Sequence, residues 1–181
     1  MSASPPVDLS RARRVAALFA AACWPAALAH PVFTLKAWFF DPAGPLIRDH
    51  HLQSAGETLE LWQRAAGAAV HLVPALLFGY GLLCARRSLL AFARGDLFDG
   101  KMAAGLRDYA AFTFWATVAN VLAWPAESLA ITIANLPGQR LLSLGVTSGD
   151  LFGVLAAGIL WVIASAIAQA GAVARENAQF V

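Results

Sequence analysis

Charge is what this chain has least of. Of its 181 residues only 13% are Asp, Glu, Lys or Arg and 59% are hydrophobic, against roughly a quarter and a half in soluble domains. Mean hydropathy is +0.62. A globule in water needs more polar surface than this composition supplies, so a bilayer must solvate much of the chain. A net charge of +2 is too small to imply nucleic-acid binding. Cysteine is scarce as well. Cys23 and Cys84 each lie inside an apolar run and read as small buried hydrophobes, not as a disulfide or a metal pair.

The catalytic signatures are missing too. Neither HExxH nor paired CxxC occurs, and the glycines form neither GxGxxG nor a GKS/T phosphate loop. Ser148 and Ser165 have no G-x-S-x-G elbow around them. The chain shows no internal repeat. The expectation is a protein without enzyme activity and without a cofactor.

Four long apolar runs are present. They predict an all-α integral membrane four-helix bundle with spans at about 15–40, 65–85, 109–134 and 151–171, between tails at 1–14 and 172–181. Arg11, Arg13 and Arg14 followed by Ala27-x-Ala29 imitate a signal peptide, but apolar character continues to Phe40, which argues for an uncleaved span. That first run is roughly 39 Å of helix, so its outer end, with Lys36 and Trp38, is expected among the headgroups. Pro25, Pro31 and Pro74 fall inside spans, and Pro125 interrupts the third, which is expected to continue beyond it. Ser54–Arg64 has helical character, with Glu57, Glu60 and Arg64 on a solvated face and Leu59 and Trp62 on the membrane surface. Gly95 reads as a helix stop, with Asp96 or Asp99 capping the next helix. Thr147-x-x-Asp150 resembles a capping box that opens the last span.

Positive charge orients the spans. With both termini inside, the inner segments hold Arg11, Arg13, Arg14, Arg86, Arg87, Arg94, Lys101, Arg107 and Arg175. The outer ones hold Lys36, Arg48, Arg64 and Arg140, nine against four. The basic loop between spans two and three therefore faces the cytoplasm.

That loop also carries a resemblance. Leu89-x-x-Phe92-x-x-Gly95-x-x-Phe98 with Leu106-Arg107, then Ser148–Gly153 and the closing Glu176-Asn177 and Phe180-Val181, is similar to a bacterial membrane family known as domain of unknown function 2975. The likeness covers roughly residues 70–181. It implies a four-helix membrane protein whose relatives are often encoded beside a small helix-turn-helix regulator, and it supplies no catalytic residues.

Three kinds of site remain open. Arg86, Arg87, Phe92, Arg94, Phe98, Lys101 and Arg107 form a surface for an acidic partner or anionic lipid, or else are ordinary positive-inside residues. Asn120 and Glu127 line a transport path, or else Asn120 bonds a neighbouring helix and Glu127 sits at the outer interface. His30 and His71, at similar depth, clamp a haem or a metal, or else bond across helix interfaces. Asp49, His50 and His51 with Glu57 or Glu60 offer a second metal cluster, or are simply solvated. Gly153-x-x-x-Ala157 and Ala164-x-x-x-Ala168 permit close helix approach, within the bundle or in a homo-oligomer. The function expected is membrane sensing or signalling through the basic loop. A small transporter or its accessory subunit is the alternative, and a haem or metal protein the lesser one.

Overall fold

The structure, a computed structural model, describes residues 9–40, 59–96, 100–133, 135–138 and 140–179. It is all-helical. The helices are α1 (Ser10–Phe40), α2 (Leu61–Arg94), α3 (Gly100–Thr132) and α4 (Ser148–Gln179). Helices α1, α2 and α4 are long and apolar enough to cross a membrane. Helix α3 is 33 residues long, about 50 Å, but Asn120, Glu127 and several Thr and Ser residues dilute its apolar character, and it does not join that group.

Local chemistry sets the ends. Gly95 takes φ +93°, and its N–H and that of Asp96 bond the carbonyls of Phe92 and Ala91, which closes α2 in a Schellman motif. Helix α4 starts as expected: the Thr147 hydroxyl accepts from the Asp150 N–H, and Asp150 Oδ2 accepts from the Thr147 N–H. Pro125 does not end α3. Pro25, Pro31 and Pro74 are likewise carried inside continuous helices. Helix α2 begins at Leu61, so the expected helix across 54–64 is confined to its last residues, and 54–58 lie outside the described residues.

Packing follows chain order. Helix α2 lies between α1 and α3, and α4 packs on α3; these are the extensive helix contacts among the described residues. The four helices therefore form an antiparallel row, and no comparable contact closes α4 back on α1. Small side chains make the seams. Ala16, Ala20, Cys23 and Ala27 of α1 face α2, where a Cβ on Gly79 would stand 2.8 Å from the Ala27 carbonyl oxygen. On α4 the buried positions are Asp150, Ala157, Ala164 and Gly171, a seven-residue period that keeps one line of small groups against α3. A Cβ on Gly153 would meet the Thr117 hydroxyl at 2.7 Å. Packing on α3 thus accounts for Gly153, Ala157 and Ala164, while Ala168 is exposed.

Large apolar side chains point the other way. Leu18 is 71% exposed and Phe152 68%, and many other Leu, Phe, Val, Ile and Trp residues join them. The buried apolar set is mostly alanine. Trp38 is an exception: it is buried with Leu59, Ala68 and Ile131. It sits on Gly67, where no Cβ would fit. Leu59, expected on a membrane surface, belongs to the same cluster.

Candidate functional site

Two polar places stand out, one at each end of the α2–α3 pair. At the Trp38 end, His71 of α2 meets Glu127 of α3, Nε2 to Oε2. Glu127 is 1% exposed and the His71 side chain 24%. The Trp38 ring lies over the imidazole, centroids 5.9 Å apart and tilted by 31°. Three helices therefore converge on one imidazole. The expected interfacial position for Glu127 is not what the structure has: its carboxyl is inside the packing between α2 and α3.

Neighbouring bonds brace this junction. Gln63 accepts from the Glu60 N–H through Oε1 and donates from Nε2 to the Ile131 carbonyl, both at 2.9 Å, tying the start of α2 to the end of α3. Arg64 donates to the Trp38 carbonyl at 2.8 Å and to Leu59 at 3.3 Å. It fastens α1 to α2 and is no part of a solvated face. Ser128 and Thr132 accept from the Ser143 and Leu141 N–H groups, holding residues 141–143 against the last turn of α3.

The other polar candidates disperse. Asn120 donates to Asp150 Oδ1 at 2.9 Å and so belongs to the α3–α4 seam. Glu127 belongs to α2–α3, so the two residues take their partners from different helices. His30 is exposed and meets Phe78 edge-on with centroids 6.0 Å apart, a different neighbourhood from that of His71. Asp49, His50, His51 and Glu57 lie outside the described residues. Glu60, their suggested co-ligand, accepts from the Trp62 indole at 2.7 Å. Among the described residues no three His, Cys, Asp or Glu side chains are grouped to hold a metal ion. Cys23 and Cys84 are both buried free thiols.

At the Gly95 end, Arg87, Arg94 and Lys101 line one recess of about 360 Å³, with Asp96 and Asp108 across it and Leu90, Ala91, Ala104 and Gly105 among its walls. Helix α3 approaches α2 closely there, since a Cβ on Gly105 would stand 2.6 Å from the Ser88 hydroxyl and 2.8 Å from the Cys84 carbonyl. Ser88 in turn donates to the Met102 carbonyl at 2.6 Å. The basic set expected to act together is thus divided. Phe92 lines a different, apolar groove, Arg86 has a buried Nε with no hydrogen bond, and Arg107 is exposed. Phe98, and with it Asp99, lies outside the described residues.

No family model, curated protein or solved structure matches this chain. What the site can do must therefore be argued from its own chemistry. Among the described residues, both ends assemble groups that respond to charge. Sequence reasoning missed Gln63, Ser128 and Thr132 altogether. Their signal was faint: polar residues near the ends of otherwise apolar helices, which are as often solvated as bonded.

Proposed function

We propose that this chain is a four-span inner-membrane protein with both ends in the cytoplasm, and that it is a non-enzymatic sensor or signalling subunit. Support for the spans comes from the inside-out distribution of side chains, alanine within and Leu, Phe and Trp without. Lipid tails solvate large apolar groups as well as a protein core does, so membrane helices keep small residues for their contacts. The same reasoning brings in α3. Its polar residues Thr113, Glu127, Ser128 and Thr132 are buried against neighbours, and Phe114, Trp115, Leu122 and Leu129 face outward. The surplus of Arg and Lys supports a cytoplasmic Gly95 end.

One observation carries the signalling reading: the same two helices hold a part-buried His–Glu pair at one end and, at the other, a recess lined by Arg87, Arg94 and Lys101 with Asp96 and Asp108. Helices are stiff, so a change in the contact between His71 and Glu127 tilts α2 against α3 and alters the distance of Lys101 on α3 from Arg87 and Arg94 on α2. A partner with acidic side chains reads that spacing. The likeness to the domain of unknown function 2975 suggests a small helix-turn-helix regulator for that role. The test is co-purification of the gently solubilised protein with the regulator encoded beside it. Retention is expected, with loss in R87E/R94E. A neighbouring regulator that never binds, in either the intact protein or under changed external pH, would overturn the reading.

A further inference from the structure

Beyond the basic recess, on another face of α2, runs an apolar groove of about 560 Å³ between α1 and α3. Val15 and Phe19 form part of one wall, Leu82 and Leu89 the floor, and Met102 and Leu106 part of the other wall. Almost nothing polar lines it, and the Ser88 hydroxyl is already spent on the Met102 carbonyl. From Ala12 to Cys23 the α1 wall runs about 16 Å along the axis, close to half of a hydrocarbon core of about 30 Å. The groove is as deep as one leaflet.

Its mouth is electropositive for two reasons. Both flanking helices begin there: α1 at Ser10, two residues before Ala12, and α3 at Gly100, two before Met102. Each therefore turns the positive end of its dipole toward the mouth, and neither has an acidic side chain in its first turn. Arg13 adds a full charge. The Arg13 guanidinium reaches the Gly95 turn, with Nη2 2.9 Å from where a Cβ on Gly95 would lie.

We infer that this groove seats one acyl chain of an anionic phospholipid, with the phosphate held at the mouth between the N-termini of α1 and α3 and beside Arg13. The inference rests on the membrane reading above. An apolar trough one leaflet deep fits a single chain, and two helix N-termini with an arginine select a negative headgroup over a neutral one. The bound lipid wedges α1 from α3 next to the α2–α3 turn, which makes lipid composition an input to the same hairpin.

The experiment uses the full chain, extracted and stripped of lipid in detergent. Native mass spectrometry counts bound lipid on adding phosphatidylglycerol, phosphatidylcholine or diacylglycerol. One phosphatidylglycerol per chain is expected, held at least about tenfold more tightly than phosphatidylcholine, with diacylglycerol weaker still. Arg13→Ala should weaken phosphatidylglycerol about fivefold and leave phosphatidylcholine unchanged. Val15→Trp, at a half-exposed wall position, and Ala85→Phe on the floor should each abolish retention of all three lipids, with helical circular dichroism intact. Equal binding of charged and neutral lipids, or full retention in both filling variants, would overturn the site. A chain that stays dispersed without detergent would instead overturn the membrane reading beneath it.

Discussion

His71 and Glu127 are 56 residues apart in sequence, and nothing local announces their pairing. The sequence suggested a bond across a helix interface, or else a haem or metal ligand, for the histidine, and a transport path or an interfacial place for the glutamate; it did not name either as the other's partner. The register of α2 on α3, set by Gly105 against Ser88 at the far end, brings them together. The two partners are unequal in burial, and that fixes the sign of a mutational asymmetry. His71→Ala leaves a fully buried carboxyl without its imidazole and should cost about 3 kcal/mol. Glu127→Gln keeps a hydrogen-bonding group beside a part-exposed ring and should cost about 1 kcal/mol. Unfolding of the purified protein by SDS titration in mixed micelles checks the order, and equal losses would show that burial does not govern the pair. Trp38 teaches the same lesson: tryptophan near a span end reads as a headgroup anchor, yet Gly67 opens a place for its ring inside.

Helix starts and stops were far more legible. Gly95, the Thr147–Asp150 box and the passage of α3 through Pro125 all follow from residues within a turn of one another. Asp150→Ala removes the acceptor for Thr147 and for Asn120 together. A loss of about 1–2 kcal/mol is expected, read as a lower melting temperature in detergent. Contacts between helices hinge on single methyl groups. Gly79→Ala drives a Cβ to 2.8 Å from the Ala27 carbonyl oxygen, so α1 must retreat from α2, at about 1–3 kcal/mol. Gly158 has open space around its Cβ position, and Gly158→Ala should stabilise by up to about 1 kcal/mol through helix propensity. Opposite signs for two chemically identical substitutions make a sharp comparison by thermal unfolding.

Across the whole molecule, the row of helices leaves most of α4 outside the protein interior. Only its Asp150–Gly171 line is covered, so lipid or another surface must meet the rest. Topology is open to direct measurement. Single cysteines placed at Arg87, Arg94 and Lys101 in a chain lacking Cys23 and Cys84 should resist impermeant maleimide in intact cells and react after permeabilisation. One at Leu144, exposed between α3 and α4, should react from outside. The reverse pattern would invert the protein and, with it, the site proposed for its regulator.

A charged fraction of 13% with 59% hydrophobic residues, laid out in long apolar runs, was enough to point to lipid as the solvent, to the helical class and to the approximate length of each run. Those are properties of composition and of neighbours along the chain. Which polar side chains share an interior was decided only when the helices packed. In a membrane the hydrophobic effect does not sort one apolar helix face from another, so register falls to close contacts between small residues. Gly67, Gly79, Gly105 and Gly153 set those contacts, and a single sequence does not reveal which glycine will face which neighbour.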